Sequence, residues 1–370
     1  MRMILLGTGP FAVPTCQQLL EDGHDIALVV TRPLANPHAK KPPQRPVHEW
    51  ASQAGVEIYE PASINTPQAI ERLDALQADL MFVCDYGQIL SQAGLSTTRL
   101  GGINLHGSLL PRHRGAAPVQ WTLLSGDAQA GVTLIHMTPG LDAGPALVSA
   151  QTEVGQDETA EQLEPRLAQL GVAATQQAIG LLADWDGQSP LGTAQDPALV
   201  TRAPRFAKSD GQLDFRRTAE QLTRQIRACQ PWPSTFAELV WPEGKRMRLL
   251  VKAARAIPNR LSALKDAAVG TVTVLDSNVG ETTELEVTPE RELSQRAVWQ
   301  PLVSAPATTE ESPLASYSDW SAPWQRVLAV ATAEGTLLIA RVGPAGKREM
   351  SVEEFLRGHP LHNNAHFESA

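Results

Sequence analysis

Between Asn104 and Asp142 the chain brings together residue types suited to acyl transfer. Asn104 and His106 stand two apart at the end of Gly-Gly-Ile-Asn-Leu-His, and on a strand such residues share one face. An amide N–H from Asn104 and a protonated imidazole from His106 are then two donors aimed at one point, as an oxyanion developing on an attacked carbonyl requires. A carboxylate is needed to orient the imidazole and favour its charged form. Asp142, in Gly140-Leu-Asp-Ala-Gly144, supplies one on a glycine-flanked loop just after the next apolar run, Gly-Val-Thr-Leu-Ile-His-Met. Gly107 stops the strand, and Ser108, Leu109, Leu110 and Pro111 turn the backbone so that its amides line a pocket. An Asn and a His at a strand end followed by an Asp in a loop are also common as caps and turns, so the trio alone leaves that reading open.

The elements that must position these residues alternate along the first two hundred positions. MILLG, DIALVVT, VEIYE, LMFVCD, GGINLH and GVTLIHM read as strands, and VPTCQQLLEDG, PVHEWASQAG and APVQWTLLSG as helices. That alternation is the pattern of a parallel sheet covered by helices, an α/β fold. A long helix follows, TAEQLEPRLAQLGVAATQQAIGLLADW, with Pro165 inside it or at its start. Residues 189–206 are rich in Pro, Gly, Thr and Ala and read as a linker. One more helix opens at Thr218 with Gln221 three residues on, a capping-box pattern. Beyond Pro231, TFAELVW, RMRLLVKAARAI, VGTVTVLD, TELEVTP, RVLAVATAEG and TLLIARV are short strands between turns, so residues 207–370 are expected to form a small β-barrel. The acidic Ser/Thr/Pro-rich stretch at about 276–323 reads as an insertion in it. The expected organisation is thus a catalytic domain over 1–188, the linker, and the barrel.

Composition sets outer bounds. The 370 residues exceed what one compact core usually supports, and 42% hydrophobic with 19% charged content is that of an ordinary globular chain. No apolar run approaches the roughly 20 residues of a membrane helix, and the opening MRMILLGTGP suits a buried strand better than a signal peptide. A cytoplasmic protein without membrane partners is expected. Cys16, Cys84 and Cys229 are odd in number and far apart, which fits buried free thiols. The net charge of −9 conceals a division: residues 1–200 hold 10 Lys+Arg against 20 Asp+Glu, residues 201–265 hold 14 against 5, and residues 266–370 hold 7 against 15. The basic segment suits either an anionic partner or a solvated face.

Gly7-Thr-Gly9-Pro-Phe-Ala12 satisfies the dinucleotide fingerprint, yet no acidic residue stands about twenty positions on, where Thr31-Arg32-Pro33 is found. A tight strand-to-helix turn without NAD(P) is the preferred reading. His359, His362 and His366 invite a metal, but they lie in a polar terminal tail, and His113 and His136 have no ligand partner at a recognisable spacing; no metal is expected.

The run N-L-H-G-S-L-L-P-x-x-R-G-A-A-P, followed by G-V-T-x-x-x-M-x-x-G-L-D-x-G, resembles the methionyl-tRNA formyltransferases, a branch of the formyltetrahydrofolate-dependent transferase family. GTGPFAVP, Tyr86-Gly87-x-Ile89-Leu90, Pro231-Trp232-Pro233 and Pro344-Ala-Gly-Lys347 extend the likeness over most of the chain. The resemblance implies a Rossmann-like catalytic domain followed by an OB-like barrel that binds tRNA. It implies that Asn104, His106 and Asp142 form the catalytic trio, and that Ser108 through Pro111, with Tyr86 and Gly87, line the folate site. The implied reaction moves a formyl group from 10-formyltetrahydrofolate to the amino group of methionyl initiator tRNA, and a monomer is expected. Sugar-nucleotide formyltransferases use a similar trio, so an amino-sugar nucleotide or other small amine is the alternative acceptor. Arg114 belongs to the tRNA-like part of the motif. Arg216, Arg217, Arg224 and Arg227 on or beside the capped helix, and Lys245, Arg246, Arg248, Lys252 and Arg255 on the first barrel strands, could hold phosphates. Two departures stand out. The loop after Pro33 lacks the family's glycines and arginine but keeps His38, Lys40 and Lys41, and Asp85 replaces a small residue before Tyr86.

Overall fold

The computed structural model describes residues 1–34, 43–276, 298–300, 326–361 and 365–368. His38, Lys40, Lys41, His362 and most of the acidic 276–323 stretch therefore lie outside the described residues, as does the expected strand TELEVTP.

The catalytic half follows the expected alternation: β1 (Arg2–Gly7), α1 (Val13–Glu21), β2 (Asp25–Val30), α2 (Pro46–Gln53), β3 (Ile58–Tyr59), α3 (Pro67–Ala75), β4 (Leu80–Cys84), α4 (Gln92–Leu95) and β5 (Gly102–His106). After it come β6 (Arg114–Gly115), α5 (Pro118–Ser125), β7 (Gln129–His136), β8 (Ala146–Glu153) and α6 (Ala160–Ala183). Met3 through Leu6 and Leu80 through Cys84 are buried throughout, as central strands covered on both faces must be. Helix α1 turns its buried Thr15, Cys16 and Leu19 to the sheet at three- and four-residue spacings. Helix α5 ends where Gly126 takes a left-handed φ of 74°, and Pro165 sits inside α6 without ending it.

In the sheet order β3, β2, β1, β4, β5, β7, β8, the first five strands are parallel. Strands β7 and β8 extend it antiparallel, because β5 hands over to β7 with His106 opposite Thr133 and Asn104 opposite Ile135. The sheet is thus mixed, and β8 was not foreseen. Its sequence, ALVSAQTE, carries only two large or β-branched apolar residues, Leu147 and Val148, and its strand character comes from pairing with β7. The carboxyl ends of β1, β4 and β5 share one edge, with Gly7 opposite Cys84 and Val83 opposite Asn104. Ligands of open α/β sheets bind at such an edge.

The second half contains β9 (Arg202–Ala203), α7 (Ala219–Ala228), β10 (Thr235–Val240), β11 (Arg246–Ile257), β12 (Val272–Asp276), β13 (Val298–Gln300), β14 (Arg326–Ala331), β15 (Thr336–Pro344), β16 (Met350–Ser351), α8 (Val352–Gly358) and β17 (His366–Glu368). Thr218 caps α7 together with Gln221, as the sequence indicates. Strands β12, β14, β15, β11, β10 and β17 form a curled antiparallel sheet, and a Thr271–His366 bridge joins its two edges. Its core packs Phe215 on Phe367, their rings stacked 5.2 Å apart. The short β13 instead pairs with β8 on the edge of the catalytic sheet.

The stretch read as a linker is a strap laid across the catalytic domain. Thr193 exchanges two backbone hydrogen bonds with Ala146, β9 runs parallel to β6, and Ala117 N–H donates to Ala203 O. Chain connectivity alone could not reveal this, since each bond closes a loop of tens of residues.

Candidate active site

Strand β5 delivers Asn104 and His106 to the functional edge on one face, about 7 Å apart along the strand. Leu105 points the other way, into the core and against Gly171 of α6. The side-chain amide of Asn104 is half-buried and has no hydrogen-bond partner among the described residues. His106 is buried, and its Nε2 lies 2.9 Å from the carbonyl oxygen of His113. A carbonyl only accepts, so Nε2 carries a hydrogen and Nδ1 is the atom left to face the site. Asp142 Oδ2 stands 3.8 Å from Nδ1, and the same oxygen accepts from Gly115 N–H at 2.8 Å. When protonated, the imidazole donates from Nε2 to His113 O and has the Asp142 carboxylate 3.8 Å from Nδ1.

Asp142 occupies the left-handed region at φ 49°, uncommon for a residue with a side chain. Its loop is tied from outside by Gln195, whose Nε2 donates to Asp142 O at 2.9 Å and to Gly144 O at 2.7 Å. Gly144 is obligatory here: a Cβ on it would fall 1.8 Å from His136 O.

The segment after His106 is pinned with equal care. Ser108 is fully buried, its hydroxyl donates to Arg112 O at 2.7 Å, and Thr133 Oγ1 bridges Ser108 O and Leu110 N–H. The Ser108 side chain therefore shapes the loop rather than facing a ligand, and Leu109 fills the space above Gly131. His113, at φ 62°, is buried with Nε2 on Asp127 at 2.7 Å, and its N–H donates to Thr201 Oγ1. Burial holds the His113 pKa below its ordinary value, partly offset by Asp127. His113, Gly115, Gln195 and Thr201 were not foreseen. Their roles run through the backbone or across 88 residues of chain, and no local pattern signals that.

On the neighbouring strand end, Tyr86 is buried with its hydroxyl unpartnered among the described residues, and burial pushes its pKa up to about 12. Gly87, at φ 77°, follows against Arg32. The Gly7–Ala12 turn proves to be close packing: a Cβ on Gly7 would press Ala12 and the Cys84 carbonyl, and one on Gly9 would meet the Asp85 carboxylate at 1.9 Å. Loss of water around that carboxylate raises its pKa, with Arg205 opposing. His136 is engaged by Leu100 O, and among the described residues no three potential ligands cluster as a metal site would need. All three cysteines are buried and free, as expected.

The chain matches the formyl transferase family over residues 1–179 and the formyl transferase C-terminal domain over residues 205–286. It is 41% identical to the methionyl-tRNA formyltransferase of Rhodopirellula baltica, over 98% of this chain and 95% of that one. The chain belongs to the methionyl-tRNA formyltransferase family. Its counterpart from Methylococcus capsulatus is 35% identical, over 98% of each chain. Among solved structures, the sugar 3N-formyltransferase WlaRD, determined with dTDP and 5-N-formyl-THF, superposes with a TM-score of 0.57 at 12% identity, covering 94% of this chain and 99% of that one. HypX from Aquifex aeolicus in complex with tetrahydrofolic acid gives 0.54 at 12% identity, over 98% of this chain and 48% of that one. These two likenesses establish the fold that the family shares.

Placed on this family fold, the basic segment divides in two. Arg224, Arg227 and Arg255 face the catalytic domain. Arg224 lies against Gly126 and the Ser125 carbonyl and pairs with Glu220. Arg227 donates to Glu158 O at 3.1 Å, and Arg255 forms a two-bond pair with Asp157. Arg114 is bound to Gln195 Oε1, and Arg217 to Gln225. Arg216 pairs with Asp214, Arg246 with Glu368, and Lys252 reaches Ser234. Exposed Lys245 and Arg248 lie over the rings of Trp241 and Phe236. Arg248 also borders a recess of about 520 Å³ on the barrel, floored by Met247 and Met350 and rimmed by Lys347, Arg348 and His359. No helix of the described residues is long and apolar enough to cross a membrane.

Proposed function

We propose that this formyltransferase moves the formyl group of 10-formyltetrahydrofolate to the α-amino group of methionyl initiator tRNA. The observation that carries the reading is the Asn104 amide without a partner beside His106, whose Nδ1 faces Asp142. The neutral amine attacks the formyl carbon, and the carbonyl electron pair moves to oxygen. Asn104 N–H and the imidazolium Nδ1–H of His106 stabilise that oxyanion. The attacking nitrogen loses a proton, N10 of the folate gains one, the C–N10 bond breaks and the carbonyl reforms. Asp142 orients His106 and assists proton movement by way of water. Leu109, Leu110, Pro111, Tyr86 and Gly87 form the folate side of the site, with Ser108 supporting the loop. Lys245, Arg246 and Arg248 contact phosphates of the tRNA, joined by Arg216, Arg217 and the His38, Lys40 and Lys41 loop, with Arg114 nearest the acceptor end.

Support for tRNA as acceptor comes from the full-length relatives, which bear that activity in their names, and from the exposed cations on the barrel. The test is single-turnover formyl transfer by wild type and His106→Ala. A loss of about 10²–10³ in rate with an unchanged melting curve is expected. Wild-type turnover in the variant would sink the reading.

A further inference from the structure

We propose that Gln195 is a positioning residue for the transfer reaction, because its side-chain amide bridges the Arg114 guanidinium to the backbone of the loop that carries Asp142. The proposal rests on the role given above to Asp142.

The amide is used to capacity. Its oxygen accepts from Arg114 Nε at 3.1 Å and Nη2 at 2.7 Å, and its nitrogen donates to Asp142 O at 2.9 Å and Gly144 O at 2.7 Å. A guanidinium only donates and a carbonyl only accepts, so the amide has one workable orientation. The Asp142 loop needs this support, since Asp142 stands at φ 49° and its carboxylate has a single backbone tie, to Gly115 N–H. Gln195 is itself fixed by the two backbone bonds of Thr193 to Ala146. Further along the same strap, Thr201 accepts from the N–H of His113, whose carbonyl holds His106. Both partners in the 3.8 Å His106–Asp142 approach are therefore set by one segment that, among the described residues, makes no hydrogen bond to either the imidazole or the carboxylate. Sub-ångström placement of such groups governs the chemical step more than substrate binding.

Two variants separate the halves of the bridge. Gln195→Met keeps length but neither accepts nor donates. Gln195→Glu keeps acceptance from Arg114 while opposing the two loop carbonyls. Both are assayed on the full chain with 10-formyltetrahydrofolate and methionyl initiator tRNA, beside wild type and His106→Ala. In each, kcat is expected to fall about 10- to 100-fold, with KM for the folate donor within about twofold. Wild-type kcat in Gln195→Met overturns the proposal, as does a change confined to KM. Recovery in Gln195→Glu alone also overturns it, because the Arg114 bond would then be what matters. Should Gln195→Met not fold, Gln195→Glu decides by the same criteria. An inactive wild type, or an active His106→Ala, would instead refute the formyl-transfer reading beneath it.

Discussion

Substituting Gly144 by alanine should damage catalysis from a position with no part in the chemistry. The added Cβ would fall 1.8 Å from the backbone oxygen of His136, where real Cβ contacts begin at 3.0 Å, so the strands of the loop must part by about 1.2 Å. Neither atom is a flexible side-chain end. If the yield is taken up along the line from Asp142 to His106, their 3.8 Å approach opens to about 5 Å. At an effective dielectric of about 20, the attraction between carboxylate and imidazolium then weakens by about 1 kcal/mol, a factor of about 5 in rate. Misplacement of the groups adds to this, up to about 100-fold in total. Overpacking should also cost about 1–3 kcal/mol of stability. The comparison is Gly180→Ala, also on the catalytic domain, where an added Cβ meets nothing within 4 Å. That helix substitution should stabilise by up to about 1 kcal/mol and leave kcat unchanged. Single-turnover kinetics and thermal melts of both variants make the test. Gly144→Ala turning over like Gly180→Ala would refute the claim that loop placement sets the rate.

Three further expectations follow from the same geometry. A double-mutant cycle on Arg255 and Asp157, whose side chains are 34% and 21% exposed, should return a coupling of about 1 kcal/mol in urea unfolding, after allowing for solvent screening, with tRNA affinity nearly unchanged; a tRNA defect without a stability defect would return Arg255 to the phosphate-binding set. Joint alanine replacement of Lys245, Arg246 and Arg248 should weaken tRNA binding and flatten its dependence on salt by about two to three phosphate contacts, and an unaltered salt slope would exclude them. Because burial holds the His113 pKa below its unfolded value of about 6.5, its contribution to stability is complete above that pH and is lost as pH falls through the depressed value. His113→Gln should therefore lose less stability than wild type between pH 7 and 5, and parallel melting curves would contradict this.

The pairing of Asn104 with His106 was legible because they sit two residues apart on a strand, whereas Asp142, 36 residues on in a glycine-framed loop, was joined to them by the family resemblance. Helix α7 announced itself through Thr218 and Gln221, whose side chains cap the helix to which they belong. Where partners are remote, the sequence was silent. Gln195 reads as one polar residue in a loose linker, and its four bonds exist only once residues 51 to 81 positions away are folded beside it. The cations of α7 and β11 could be counted but not sorted. Whether an arginine meets a phosphate or Asp157 depends on an acid 98 residues upstream. Ser108 illustrates the converse: a hydroxyl in a site motif that folding turns inward to Arg112 O.

The most direct test of the account is a competition in which the wild-type enzyme, supplied with 10-formyltetrahydrofolate labelled in the formyl group, is offered methionyl initiator tRNA and an amino-sugar nucleotide together. Label should appear on the methionyl amino group of the tRNA and not on the sugar. Label on the sugar alone would leave Asn104, His106 and Asp142 in place as formyl-transfer residues but contradict the assignment of the acceptor.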